Sequence, residues 1–291
     1  MNPTKIERTD YSWSPITGCT PIREGCKNCY ARRLAETRLR GRHGYPKDEP
    51  FRVTFHPDRL DEPLKMKRPR RIFVCSMGDL FHEDVPLFFI DKIFQTIYIA
   101  QSYQHIFIIL TKRPERMLEY AEYRRLAKRQ WPDNILAGVS ISNQQDADDF
   151  IPILLQIPGK HFVSIEPMLG PIDLTNPTGD FDDFPNENKR ISRRFIDDLD
   201  WVVIGGETGP GARPMHPDWV RDIKSQCQKA GVPFFFKQWG EWWTGNYIDC
   251  PIVPSGRVEK IYPWPNGREA FKIGRKYAGR ILDGRTWDEV P

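Results

Sequence analysis

Cys19, Cys26 and Cys29 lie on one short stretch, Gly18-Cys19-Thr20-Pro21-Ile22-Arg23-Glu24-Gly25-Cys26-Lys27-Asn28-Cys29-Tyr30-Ala31. Thiolates are soft ligands that suit zinc or iron–sulfur clusters. The glycines at 18 and 25 let such a loop fold tightly around a bound object. Three ligands from one loop leave one iron of a four-iron cluster open to a reacting small molecule. The alternative is a structural zinc site closed by a fourth ligand such as His43. Zinc sites of that kind usually take four protein ligands, often as two pairs, whereas this stretch has a single C-x-x-C pair. Ordinary core cysteines are a third reading, at odds with a polar, glycine-flanked loop. That reading suits Cys75, in an apolar strand pattern, and Cys227, on one face of a helical pattern, because free cysteine commonly packs as a small hydrophobe. Cys250 stands in the tail with its role open.

The elements that must position this loop are legible downstream. The 291 residues are 39% hydrophobic and 12% aromatic, enough for a substantial core. No apolar run is long enough to span a bilayer, and residues 1–10 are polar with no secretory pattern. A cytoplasmic location is therefore expected, where thiols stay reduced and the six cysteines read as metal ligands or core before disulfides. Apolar strand patterns at 71–77, 105–110, 135–141, 161–165, 201–204 and 232–236 alternate with helical patterns at 88–100, from Pro114, after Ser142, and at 218–230. Ser142 with Gln145 reads as a capping box, and Gly231 as a helix stop. Strand–helix alternation means a parallel sheet. With the cysteine loop (17–30), the helix after it and a poorly defined first strand, six or seven βα units are expected. The expected fold is α/β, a partial or complete parallel (β/α) barrel over residues 1–238. Within it, about 175–200 reads as a polar, solvated insertion, and 239–291 as an irregular, aromatic-rich extension packed on the barrel. Chemistry in such folds gathers at the C-terminal ends of the strands.

A three-cysteine loop leading into a helix and repeating βα units resembles the radical S-adenosylmethionine superfamily. The fuller likeness is to the phage-type three-Cys-motif family. The segments that carry it are Trp13-Ser14-Pro15, Gly25-Cys26-Lys27-Asn28-Cys29-Tyr30-Ala31, Cys75-Ser76-Met77-Gly78-Asp79, Leu110-Thr111-Lys112-Arg113-Pro114, Gly138-Val139-Ser140-Ile141-Ser142, Ser164-Ile165-Glu166-Pro167, Gly205-Gly206-Glu207 and Phe236-Lys237-Gln238-Trp239-Gly240. The cysteine spacing, C-x6-C-x2-C, is longer in its first interval than the superfamily's C-x3-C-x2-C. Asn28 stands where an aromatic residue is usual, and Tyr30 follows the third cysteine.

The resemblance implies a radical S-adenosylmethionine barrel with a [4Fe-4S] cluster on Cys19, Cys26 and Cys29, S-adenosylmethionine on its open iron, and an electron donor such as flavodoxin or ferredoxin. Asp79 ends a strand where the superfamily holds the amino group of S-adenosylmethionine, and it could equally be a turn aspartate. Ser140 and Ser142 could bond ribose hydroxyls, with Ser142 also reading as an N-cap. Gly205, Gly206 and Glu207 follow a much later strand and are expected to line the adenosine end or the substrate pocket. Glu166 ends an apolar strand, so it either pairs with a basic side chain or binds ligand. Lys112, Arg113, Lys237, Gln238 and Trp239 are candidate substrate contacts, with a basic loop and a structural cap as the plainer readings. The implied substrate is open. Two basic groups, Arg32, Arg33, Arg38, Arg40 and Arg42, and Lys65, Lys67, Arg68, Arg70 and Arg71, with Trp242 or Trp243 as stacking surfaces, admit a nucleic acid or nucleotide. The net charge of +4 permits such a partner without arguing for it. The alternatives are a zinc-stabilised nucleic-acid-binding or nuclease-like protein, and a cluster-containing interaction protein without radical chemistry.

Overall fold

The computed structural model describes residues 1–4, 9–176, 194–244, 256 and 258–291. Cys250 and most of the stretch 175–200 lie outside them. The chain divides into two compact units. The first comprises Met1–Ile22, Cys29–Val139 and Ile153–His161, and the second Arg23–Asn28, Ser140–Pro152 and Phe162–Pro291.

The first unit carries β1 (Asn2–Pro3), β2 (Tyr11–Trp13), β3 (Ile16–Thr17), α1 (Tyr30–Glu36), β4 (Thr54–Phe55), β5 (Arg71–Val74), α2 (Leu87–Ile99), β6 (Ile106–Thr111), α3 (Pro114–Leu126) and most of β7 (Ile135–Ile141). β2, β5, β6 and β7 pair in parallel, β1 lies antiparallel on β2, and β3 with β4 forms a separate small ladder. All seven residues of β7 are buried, as in strands covered on both faces. α2 buries Phe89, Ile90, Ile93, Phe94 and Ile97, the spacing of one helical face. Strand β5 stops at Val74 rather than running to 77, because Cys75 takes φ 55, a left-handed conformation that ends a strand. Cys75 is therefore past the strand, though buried as expected.

The second unit carries most of α4 (Gln144–Leu154) and β8 (Lys160–Ile165), then β9 (Trp201–Gly205), α5 (Pro217–Ala230), β10 (Phe234–Gln238), β11 (Trp242–Trp243), β12 (Lys260–Pro263), β13 (Glu269–Lys272) and α6 (Arg275–Ala278). β8, β9 and β10 pair in parallel. β10 begins two residues later than the apolar pattern suggested. Val232 donates its N–H to Cys227 O at 3.0 Å and so belongs to the C-terminal cap of α5, closed by Gly231 at φ 71. Lys237 and Gln238 fall inside the strand as a result. The segment 239–291 is not wholly irregular: β11, β13 and β12 form an antiparallel sheet whose strands are too short to display a period. The chain end covers the free edge of β10, with Phe236 N donating to Trp287 O at 3.0 Å. At the end of the stretch read as solvated, Phe195 and Ile196 are fully buried.

The large sheet has the order β1-β2-β5-β6-β7-β8-β9-β10, a 7-strand parallel run with one antiparallel edge strand. Its two ends do not pair among the described residues, which agrees with the partial rather than the closed form of the expected parallel barrel. No helix among those residues is long and apolar enough to cross a membrane.

The core is specific enough to test. Phe94 is fully buried and meets Tyr120 at 4.6 Å and Trp131 at 5.0 Å between ring centroids. Phe94→Ala should lower the unfolding free energy in urea by about 3–5 kcal/mol. Leu126→Ala, at an exposed position, should change it by less than about 0.5 kcal/mol. Equal effects would show that this face of α2 is not core.

Candidate functional site

In the first unit, Cys19 follows β3 directly. The turn into it needs glycine: Gly18 has φ +89, and a Cβ there would lie 2.1 Å from Arg52 O. His56 braces the same turn, its Nε2 and Thr17 Oγ1 hydrogen-bonded at 2.8 Å. Cys19 and Cys29 are partly buried and pack, with Leu39 and Met77, against the cluster Ala31, Ala35, Tyr45 and Phe51. Tyr30, at the start of α1, donates to Ser76 O at 2.5 Å.

The strand ends β5 and β6 supply the polar groups beside Cys19. Arg113, buried after β6, donates to Cys19 Sγ at 3.3 Å and to Thr20 Oγ1 and O at 3.0 and 3.2 Å. Asp79 and Glu83 hold the guanidinium, accepting from it at 3.4 and 2.7 Å. Burial works against the charge on Arg113, but Glu83, Asp79 and Cys19 outweigh it and raise its pKa. Asp79 also accepts from Phe81 N, Thr111 Oγ1 and Lys112 N at 3.0, 2.7 and 3.2 Å. The turn-aspartate reading accounts for these contacts. Arg113 thus faces Cys19, and the Lys112 backbone N–H joins the same network.

In the second unit, the middle of the cysteine loop is fastened separately. Arg23 pairs with Asp149 at 2.8 Å and lies 4.6 Å over the Phe150 ring. Arg213 reaches Glu24 Oε1 at 2.6 Å and Glu207 Oε1 at 2.6 Å. Asn28 donates to Glu207 Oε2 at 3.0 Å and to Gly211 O at 2.9 Å. Burial tends to raise the pKa of Glu207, but hydrogen bonds from Arg213 and Asn28 hold its carboxyl below the ordinary value. Glu207 thus positions the Cys26 segment. Arg213 and Asn28 carry this arrangement, and sequence reasoning had assigned neither a role: Arg213 sits in a loop without period or motif.

Glu166 pairs with Lys237 at 3.0 Å and accepts from Ser164 Oγ at 3.2 Å, the basic-partner alternative of the two expected for it. Both charged side chains are 23% exposed. Gly205 and Gly206 permit close approach: a Cβ would meet Glu166 Oε1 at 2.3 Å and Trp239 O at 2.0 Å. Ser140 donates to Glu166 O at 3.3 Å. Ser142 is not the helix cap. Asn143 Oδ1 accepts from Asp146 N at 2.9 Å, and Asp146 reaches back to Ser142 N at 2.9 Å, which shifts the capping box by one residue. The Ser142 hydroxyl is buried without a hydrogen-bond partner among the described residues, and it sits where a Cβ on Gly25 would come within 2.2 Å. Gln238 donates to Gly206 O at 2.8 Å and leaves its own buried Oε1 without a partner among the described residues. Trp239 is buried, stacks edge-on against Phe236 and donates to Ile281 O at 2.8 Å, contacts that fit the structural-cap reading.

The donor chemistry of the loop suits a thiolate-bound metal group. Cys19, Cys26 and Cys29 form no disulfide and are partly exposed, whereas burial pushes the Cys75 and Cys227 thiols up to about 12. The geometry is less complete: among the described residues no group of three or more His, Cys, Asp or Glu side chains is gathered as a metal site. Binding would therefore have to draw the ligands together.

The bracing of the turn gives a pH prediction. Burial, with Arg59 adding to it, pushes the His56 imidazole down to about 4. The unfolded chain takes up that proton first, so the stability due to neutral His56 is complete above its ordinary pKa of about 6.5 and is lost as pH falls towards 4. His56→Gln should flatten this part of the stability–pH curve measured by urea denaturation. Parallel curves for variant and parent would refute the assignment.

Neither the curated proteins nor the solved structures contain a match to this chain. One family model matches residues 3–291, described as a protein of unknown function (DUF5131). With the match covering nearly the whole chain, the protein belongs to the DUF5131 family.

Proposed function

We propose that the protein is a radical S-adenosylmethionine enzyme whose [4Fe-4S] cluster is held by Cys19, Cys26 and Cys29, in line with its resemblance to the phage-type three-Cys-motif family. The observation that carries this reading is the contrast among thiols: three partly exposed ones on a glycine-turned loop after β3, against two deeply buried ones. A cluster of this kind, when bound, supplies an electron that cleaves S-adenosylmethionine and leaves a 5′-deoxyadenosyl radical able to take hydrogen from a substrate.

The chain's own residues then have distinct tasks. Arg113 donates to Cys19 Sγ and offsets negative charge there, while Asp79 and Glu83 keep the guanidinium in place. Glu207, through Asn28 and Arg213, holds the Cys26 segment. Glu166 and Lys237, half-buried and oppositely charged, can meet the ammonium and carboxylate of S-adenosylmethionine, with Ser140 and the unpartnered Ser142 hydroxyl as further contacts. Gly205 and Gly206 leave room for a close approach. A flavodoxin or ferredoxin is the expected electron donor, the cytoplasm the expected location, and a nucleic acid or nucleotide a candidate substrate.

Anaerobic purification followed by iron, sulfide and zinc analysis tests the reading. Near-equal iron and sulfide are expected, lost in Cys26→Ala and kept in Cys227→Ala. A colourless protein with stoichiometric zinc would overturn it in favour of a zinc-stabilised protein. The reduced, cluster-loaded protein incubated with S-adenosylmethionine should release 5′-deoxyadenosine. An intact cluster that releases none would leave a cluster protein without radical chemistry.

A further inference from the structure

The first unit has a second polar region, at the opposite end of the same strands. Asp10 leads into β2, Arg70 and Arg71 enter β5, and Gln104 and Ile106 lie at the start of β6. Together they line a cavity of about 560 Å³ at the N-terminal edge of the sheet. Cys19 and Arg113 belong to the C-terminal edge, roughly 15–20 Å away at about 3.3 Å per strand residue.

Charge in this cavity is uncompensated. Arg70 Nε is shut off from solvent and has no hydrogen-bond partner among the described residues. Neither the Arg70 nor the Arg71 guanidinium has an ion-pair partner among the described residues; Arg70 is steadied only by lying 5.8 Å from the Tyr11 ring. The one carboxylate in the lining, Asp10, accepts the backbone N–H of Arg71 at 2.9 Å. A buried guanidinium donor without an acceptor is costly, and an anion supplies the acceptor. The cations continue outward from the cavity. Lys65, Lys67 and Arg68 are exposed, and Lys67 is set 4.5 Å over the Tyr103 ring while donating to Tyr103 Oη at 3.0 Å. Five cations thus stand within residues 65–71, in a chain whose net charge is +4.

A single small anion would answer Arg70 and Arg71 but leave the row from 65 to 68 unused. A polymer with evenly spaced phosphates answers all five. We propose that this N-terminal edge docks the phosphodiester backbone of a nucleic acid, with one phosphate seated between Arg70 and Arg71 and its neighbours along Arg68, Lys67 and Lys65. The five cations answer phosphates rather than base edges, so recognition is of backbone charge, without sequence preference. Its distance from the cysteine loop makes it an anchoring surface, and the proposal stands whether or not the cluster reading does.

Fluorescence anisotropy with a fluorescein-labelled 20-nucleotide strand tests it, across a series of salt concentrations. The double variant Arg70→Ala/Arg71→Ala should bind about tenfold more weakly at low salt. It should also reduce the slope of log affinity against log salt by about 0.7, the loss expected for one neutralised phosphate on a single strand. Lys67→Ala/Arg68→Ala changes only exposed side chains and should show the same trend, which guards against misfolding of the first variant. Lys229→Ala/Lys276→Ala, with the same charge change on exposed residues of the second unit, should bind as the parent does. Equal weakening in all three variants would reduce the effect to net charge and overturn the site. Affinity independent of strand length, with millimolar inorganic phosphate displacing the strand, would assign the cavity to a small anion and overturn the nucleic-acid proposal.

Discussion

Burial of the parallel strands is the constraint on which the rest depends. β7 is buried along its whole length, and so is β9. Such strands satisfy their backbone in the sheet and offer no solvent to a polar side chain, so an unpaired charge within them would be prohibitive. Polar groups are displaced to the strand ends. Asp79 and Arg113 follow β5 and β6, Glu166 follows β8, Glu207 follows β9, and Lys237 occupies the last turn of pleat in β10.

At those ends, carboxylates are matched with cations: Asp79 with Arg113, Glu166 with Lys237, Glu207 with Arg213. Removing one partner of such a pair leaves a desolvated charge behind, a loss of about 3–5 kcal/mol when the pair is well buried. The pairs therefore act as fixed points. Two of them are tied to the cysteine loop, one through Cys19 Sγ in the first unit and one through Asn28 and Glu24 in the second. The loop needs such fixing, because its thiols are partly exposed and its backbone is turned by glycine. The Glu166–Lys237 pair is the third, with both side chains 23% exposed.

The two edges of the first unit's strands contrast in their electrostatics. At the C-terminal edge the Arg113 cation is answered by Asp79 and Glu83, whereas at the N-terminal edge Arg70 and Arg71 have no ion pair among the described residues. Neutralised charge orients neighbouring groups, and unneutralised charge attracts partners over a Debye length. One sheet thus carries paired charge at one edge and unpaired charge at the other, among the described residues.

The sequence by itself determined the alternation of strands and helices and the separation of loop cysteines from core cysteines. Both are local properties: apolar spacing reports burial face by face, and three thiols beside glycines are visible without any fold. It also limited Glu166 to two options, since an acidic residue ending an apolar strand needs a partner. Tertiary structure alone decided which partner. Lys237 is 71 positions from Glu166, and Arg213 is 189 from Glu24. Ion pairs of that separation follow no period, and chain closure over such lengths is set by the whole sheet rather than by either residue. The same reason explains Trp239 and Asp79, each open from the sequence to a structural or a ligand reading: Trp239 donates to Ile281 O, and Asp79 accepts from Thr111 and Arg113. Strand ends can be found from the sequence, but what a polar group there faces depends on the neighbouring strand, and only the folded sheet brings that strand alongside.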